Sequence, residues 1–325
     1  MVSAVLLFIV GLICLIKGGD WFVDGATGIA ERFHVPELLI GATVVSIGTT
    51  LPEVMVSATS AAKGYGSMAY GNAIGSIICN TALIAAITVA VAPADVDRKT
   101  LKMPLLFFFG SAIFYAVISY TTGYFSRPVG LVFLAVFAGY MVILIRQAVA
   151  ESRKQTEAAE VGESEEKEAP LWKEILLLVI GAVLIAIGAR LLVDNGTIIA
   201  EGLGVPQSVI ALTFVALGTS LPELVTAVVS LAKGHGSLSL GNIIGANLFN
   251  LVLVSGVAIS VNPFEVPSQK LIAGMNASLL VDIPVMLFVM LFLTVPALLT
   301  GKLKRYQGVL LLALYVAYCG FQFIG

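Results

Sequence analysis

Charge is scarce in this sequence. Only 12% of its 325 residues are Asp, Glu, Lys or Arg, about half the share found in a typical soluble domain. By contrast 58% are hydrophobic, and the mean hydropathy is +1.01. A water-soluble chain of this composition would leave a large apolar surface in water, so the composition calls for a lipid bilayer as solvent. The formal net charge of −2 supplies no basic surface for a nucleic acid. Cysteine is nearly absent too. Cys14, Cys79 and Cys319 lie far apart in apolar runs and offer neither a zinc spacing nor a disulfide framework. The two histidines, His34 and His235, fall at loop edges. No cofactor is expected.

What is present is a series of long apolar runs. A spanning helix needs about 20 mostly apolar residues, and ten segments qualify: 2–33, 36–63, 67–93, 102–121, 128–147, 172–203, 206–233, 237–261, 276–299 and 305–323. The first is read as a retained helix rather than a signal sequence, because Lys17 follows the run Val2–Ile16 and no small-residue cleavage site is evident. The first and sixth runs are long and polar toward their C-terminal ends, which predicts tilt or extension into the interface. Gln147–Pro170, rich in Glu, Lys and Ala, is expected to be a flexible loop between two halves.

Cytoplasmic loops carry the excess of Lys and Arg. With the N-terminus outside, the inner loops hold 13 of the 18 basic residues and the outer loops only Lys63, Arg127 and Lys270. That imbalance predicts both termini outside and the 148–171 linker in the cytoplasm of a multi-pass plasma-membrane protein.

The most specific signal is an internal repeat. A shift of 170 residues lays Val35–Leu83 on Val205–Leu253 without a gap, and 22 of the 49 pairs are identical. TVVSIGTTLPEVMVS matches TFVALGTSLPELVTA, and KGYGSMAYGNAIGSIICN matches KGHGSLSLGNIIGANLFN. Five spans per half is an odd number, so the halves run in opposite directions through the membrane. The expected fold is therefore an all-α polytopic membrane protein of ten helices in two inverted five-helix repeats, 1–147 and 172–325, a recurring plan of secondary transporters with the site at the repeat interface.

Each repeat carries a glutamate deep in an apolar run, Glu53 and Glu223, with no Lys or Arg within a helical turn. An ionised carboxylate there costs several kcal/mol, roughly, unless partnered. Two protonated glutamates satisfying helix contacts are the plain alternative; their duplication favours carboxylates held for a cation. Pro52 and Pro222 precede them and are expected to break their helices, releasing carbonyls near Gly48/Thr49 and Gly218/Thr219 into a protein cavity. Thr49, Thr50, Thr219 and Ser220 add hydroxyls. An all-oxygen site with two carboxylates suits a hard cation such as Ca²⁺. The second motif, Gly71-Asn72…Gly75-Ser76…Asn80 and Gly241-Asn242…Gly245-Ala246…Asn250, places Ser76 with Asn80 and Ala246 with Asn250 on shared helix faces.

GTTLPE with GNAIGSIICN, and GTSLPE with GNIIGANLFN, resemble the two α-repeats of the sodium/calcium exchanger family in its prokaryotic branch, and the resemblance covers the ten-span layout. It implies a secondary active antiporter that exchanges several Na⁺ for one Ca²⁺ by alternating access, electrogenically and without enzymatic activity. It implies Ca²⁺ binding by Thr49, Glu53, Thr219 and Glu223. By position it implies one Na⁺ site at the Ser46 carbonyl, Thr49, Thr50, Glu53 and Ser76, and a second at the Ala216 carbonyl, Thr219, Ser220, Glu223 and Ala246, with Asn80 and Asn250 as supporting polar groups. Ala246 lacks the hydroxyl of its mate Ser76, and Asn250 stands where some exchangers carry Asp; the neighbouring Asn247 is a candidate to compensate. The resemblance also matches long first and sixth helices that slide across the rest. The expected partners are Ca²⁺, Na⁺ and the bilayer, with a monomer as the working unit.

The remaining polar residues, Asp20, Asp24, Asp194 and Asp282, read as structural or interfacial, with Lys17 and Arg190 as helix partners of the first three. A proton-coupled or K⁺-dependent exchanger of the same fold is the nearest alternative; the proton-coupled family typically carries its glutamate after a GN pair, whereas both glutamates here follow GTxxP. An intramembrane hydrolase would need a His pair or a Glu-Glu-x-x-x-Arg arrangement, and neither occurs. A passive channel would share the broken helices but makes less use of a carboxylate pair at the repeat interface.

Overall fold

The computed structural model describes residues 2–159, 170–203, 218–268, 271–272 and 274–323. Among them run ten helices: α1 Val2–Arg32, α2 Glu37–Ala62, α3 Gly66–Val91, α4 Arg98–Thr121, α5 Arg127–Ala159, α6 Leu171–Gly202, α7 Leu221–Ala232, α8 Gly236–Val261, α9 Ser278–Thr300 and α10 Arg305–Phe323. Eight of these, all but α7 and α10, meet the length and apolarity needed to cross a membrane. The start of the expected span 206–233 lies outside the described residues. Among the described residues two short ladders form, β1 Tyr124–Phe125 against β2 Phe264–Glu265 and β3 Leu271–Ile272 against β4 Met275–Asn276, with one isolated bridge between Asp95 and Lys302.

The opposite sense of the two halves is visible in α1 and α6, which pack antiparallel along their length. Gly11 meets Gly188, Gly18 meets Gly181, and Gly25 meets the backbone of Glu174 and Leu178. These glycines recur every seven residues and so share one face of each helix. A Cβ on Gly25 would stand 2.6 Å from the Glu174 carbonyl oxygen. Small residues let backbones approach where lipid offers no hydrophobic drive to association. The outer faces, with Leu6, Ile13, Ile16, Val179, Val183 and Ile187, are exposed and apolar, as a lipid-facing surface requires. At 31 and 32 residues the two helices are each about 46–48 Å long, longer than the hydrocarbon layer. Their adjacent ends are tied by a bidentate pair, with Arg32 donating to the Glu174 carboxylate at 3.0, 3.1 and 3.3 Å.

The repeat mates α3 and α8 are the most enclosed spans, and the turns leading into them are alike. Lys63 and Lys233 end the preceding helices, and Gly64 (φ +82°) and Gly234 (φ +86°) take the left-handed conformation. That conformation lets the next residue donate back, Tyr65 N–H to Ser60 at 2.8 Å and His235 N–H to Ser230 at 2.8 Å. Inside each of α3 and α8 the hydrogen bonding widens to a π turn, Asn80–Ala85 and Asn250–Val254, beginning on mated asparagines. Single π turns inside α-helices are frequent at functional sites.

Two expectations are corrected. Pro52 does not break its helix. α2 runs unbroken from Glu37 to Ala62, through a π turn at Gly41–Val45, because a spanning helix absorbs one missing N–H when its neighbours enclose it. Pro222 does stand at a helix start, in the first turn of α7 after Ser220, where its missing N–H costs nothing. The expected loop Gln147–Pro170 is also part helix. α5 continues to Ala159, since Gln, Ala, Glu, Arg and Lys are strong helix formers and no Gly or Pro intervenes; residues 160–169 lie outside those described.

Candidate ion-binding site

Glu53 lies mid-way along α2 and Glu223 in the first turn of α7, both fully buried, and their charges act on one another. None of their four carboxyl oxygens has a hydrogen-bond partner among the described residues. The Thr50 and Ser220 hydroxyls and the amides of Asn80 and Asn250 are equally buried and equally without partners there. Each buried polar group left unpaired costs about 1–3 kcal/mol, more if charged. Folded proteins seldom leave such groups unpaired without a reason, and oxygens of this kind are the donors that a hard cation takes.

Thr49 sits one turn before Glu53 and faces both Asn242 and Glu223. Its hydroxyl donates to Asn242 Oδ1 at 3.2 Å. Ser46 donates to the Gly41 carbonyl at 2.7 Å, and its hydroxyl also lies 3.0 Å from the Asn242 carbonyl oxygen. This approach exists because position 245 is glycine, where a Cβ would stand 2.3 Å from Ser46 Oγ. The carbonyl of Gly48 is the one that Pro52 leaves without an N–H donor. Thr219 is half-buried in the turn before Ser220, and Ser76 is buried on α3. Ala246 is fully buried with no oxygen to offer. Ala216 lies outside the described residues. The Asn247 amide nitrogen donates to Thr81 Oγ1 at 2.7 Å and contacts Met290 Sδ at 3.2 Å, while its oxygen is buried without a partner among the described residues.

The α1–α6 pair covers the site. Phe22 from α1 and Ala182, Ile185 and Ala186 from α6 close over Gly48, Thr49, Pro52 and Pro222, leaving a cleft of about 10 Å³, about enough for one water-sized particle.

Sequence reasoning missed Ser57, and it placed Asn72 and Asn242 in the second motif without the anchoring roles they take. Asn72 Nδ2 donates to the Glu53 carbonyl at 3.1 Å and to Ser57 Oγ at 2.8 Å, anchoring the backbone that carries the glutamate. The repeated Gly-Asn pair was the available signal, since both asparagines are identical between the copies.

A family model described as sodium/calcium exchanger protein matches residues 3–146 and 173–324. The chain belongs to the sodium/calcium exchanger family. Relatives within reach include the sodium/calcium exchanger MaX1 of Methanosarcina acetivorans, 30% identical with 96% of each chain covered. The membrane protein MJ0091 of Methanocaldococcus jannaschii is 36% identical, covering 95% of this chain and 94% of its own. The inner membrane protein YrbG of Escherichia coli is 36% identical over 87% of each. Among solved structures, the sodium-calcium exchanger NCX_Mj soaked with 10 mM Na⁺ and 10 mM Sr²⁺ superposes with a TM-score of 0.79, at 33% identity and 97% coverage of both chains. The likeness to this family extends over both repeats, and the family model skips the segment between them.

Proposed function

We propose that the chain is a secondary active antiporter exchanging Na⁺ for Ca²⁺ by alternating access. The observation that carries this is the pair of fully buried carboxylates, Glu53 and Glu223, one from each repeat, facing each other with no cationic side chain paired to either among the described residues. The Ca²⁺ ligands are Thr49, Glu53, Thr219 and Glu223. The Na⁺ ligands are Thr49, Thr50, Glu53, Ser76 and the Ser46 carbonyl on one side, and Thr219, Ser220, Glu223 and the Ala216 carbonyl on the other. Asn80 and Asn250 support them. The side built around Ala246 is poorer by one hydroxyl than the side built around Ser76.

Electrostatics supplies the coupling. Two ionised carboxylates carry −2 in a low-dielectric interior, and one Ca²⁺ or a set of Na⁺ offsets that charge. An empty or half-filled site keeps unpaired charge and resists movement of the α1–α6 cover, so the switch between faces follows full loading. With three Na⁺ per Ca²⁺, one net charge crosses per cycle, and 100 mV biases turnover by about 2.3 kcal/mol. The termini are placed outside and the 148–171 linker in the cytoplasm, on the distribution of Lys and Arg. The working unit is a monomer.

The test is ⁴⁵Ca²⁺ uptake into proteoliposomes loaded with Na⁺, set against an imposed pH gradient and against added K⁺. Uptake that follows the Na⁺ gradient and responds to a K⁺ diffusion potential is the expected result. Uptake that follows pH and ignores Na⁺ would replace this reading with a proton-coupled exchanger.

A further inference from the structure

A hydroxyl serves a cation only through its lone pairs, so its proton must point elsewhere. Thr49 faces the Glu223 carboxylate on one side and Asn242 on the other, and its hydrogen bond to Asn242 Oδ1 is 3.2 Å long. Asn242 belongs to the second repeat, on α8, whereas Thr49 belongs to the first, on α2. The asparagine is fully buried and seated with little freedom. Its own carbonyl oxygen lies 3.0 Å from Ser46 Oγ, and the preceding Gly241 lies so close to Leu38 that a Cβ would meet that carbonyl oxygen at 2.2 Å.

We propose that Asn242 is a positioning residue for the cation site: its Oδ1 takes the Thr49 proton and thereby turns the Thr49 oxygen toward the ion as an acceptor. The inference rests on the site proposed above and adds the residue that orders one of its ligands. Among the described residues Asn242 Oδ1 is the acceptor that the Thr49 hydroxyl reaches; a cation between the glutamates repels the Thr49 proton and holds it toward that acceptor. An amide suits the role better than a carboxylate. It accepts the proton without adding a third negative charge to a site whose balance is set by Glu53 and Glu223. The arrangement also ties the ligand of one repeat to the helix of the other, so separating α8 from α2 disorders Thr49.

The experiment is a double-mutant cycle on equilibrium ⁴⁵Ca²⁺ binding to the purified protein, with Na⁺ competition measured in parallel. Asn242→Leu keeps the size and removes the acceptor; Thr49→Val removes the hydroxyl. Each is expected to weaken Ca²⁺ binding about tenfold, the loss of one ordered hydrogen bond. The pair together should be no worse than either alone, because both act through the same oxygen. In Asn242→Asp, which keeps the acceptor, Thr49→Val should still cost its full factor. Losses that multiply in Asn242→Leu/Thr49→Val, or unchanged affinity in Asn242→Leu, overturn the assignment. Should Asn242→Leu fail to fold, a Thr49→Val substitution without effect in the Asn242→Asp background overturns it equally. Binding is read without transport, so a failure of Na⁺-driven exchange with this coupling intact would sink the antiport reading and leave the positioning role standing.

Discussion

Lys233, at the C-terminal end of α7, reaches Asp24 Oδ1 on α1 at 2.8 Å and the Asp20 carbonyl at 3.0 Å. It therefore joins the α1–α6 cover to the helix that carries Glu223. The repeat mates of Lys233 and Asp24 are Lys63 and Asp194. In this conformation Lys63 is exposed, and Asp194 pairs with Arg190 at 3.6 Å within its own helix. The inverted repeats place the two pairs on opposite faces of the membrane, so the opposite-facing state should exchange one for the other. Lys63→Cys with Asp194→Cys should cross-link with a short bifunctional reagent only under ion conditions that open the side held by Lys233. Cross-linking that is absent under every ion condition would refute the exchange of pairs. Because Lys233 and Asp24 are partly exposed, the bond contributes only about 0.2–1 kcal/mol. Lys233→Ala should shift the balance of states several-fold while scarcely moving the melting temperature.

Arg32 and Glu174 behave differently, because Glu174 is almost wholly enclosed and meets the guanidinium at two oxygens. Glu174→Ala removes the carboxylate that accepts these charged hydrogen bonds at the end of the α1–α6 seam. The expected cost is about 1.5–3 kcal/mol, seen as a lower unfolding temperature in detergent. A melting temperature indistinguishable from the wild type would mean that the pair contributes nothing net.

At the site, Glu53→Gln and Glu223→Gln each keep the shape and remove one charge. Either should abolish Na⁺-driven Ca²⁺ uptake, since a single carboxylate no longer offsets a divalent ion. Near-normal exchange in either variant would withdraw that glutamate from the site.

Ala246→Ser returns to the second repeat the hydroxyl that Ser76 provides in the first. Na⁺ should then compete with Ca²⁺ at lower concentration, measured as a smaller Na⁺ inhibition constant. An unchanged constant would mean that the second Na⁺ site does not extend to this position.

Outside the membrane, Asp97 caps α4. Its carboxylate accepts from the Thr100 hydroxyl and from the Lys99 N–H at 3.0 Å. The Thr100 bond, followed by the two backbone N–H groups, holds its pKa below the ordinary 3.8 despite some burial. A lowered folded value means that the stabilisation is complete above the unfolded carboxyl's value and is lost as pH falls through the folded one. Asp97→Ala should cost about 1 kcal/mol at neutral pH and nothing at a pH low enough to protonate the wild-type cap. Thermal unfolding across that range measures both.

Much of the architecture was legible because it is written in one dimension. Hydropathy marked the spans to within a few residues at most ends, as with α3 at Gly66–Val91 against 67–93. The gapless repeat marked the paired glutamates. Two local rules misled. Pro52 leaves α2 unbroken and Pro222 stands in the first turn of α7, although the motifs around them are nearly identical. The charged stretch after Gln147 reads as loop by composition, yet helix propensity carries α5 to Ala159.

The sequence by itself determined the solvent, the inverted duplication and the two buried carboxylates, because charge content, identity at a fixed shift and the cost of a lone carboxylate in lipid need no partner to evaluate. Only the tertiary structure decided that Lys233 reaches Asp24, that Asn242 takes the Thr49 proton while Asn72 holds the Glu53 backbone, and that Asn247 serves Thr81. Each of these bonds joins residues from different helices, several of them from different repeats. Its existence depends on a few ångströms of helix approach, set for Asn242 and Thr49 by the close seating of Gly241 and Gly245 on α2, and no periodicity along the chain records that distance.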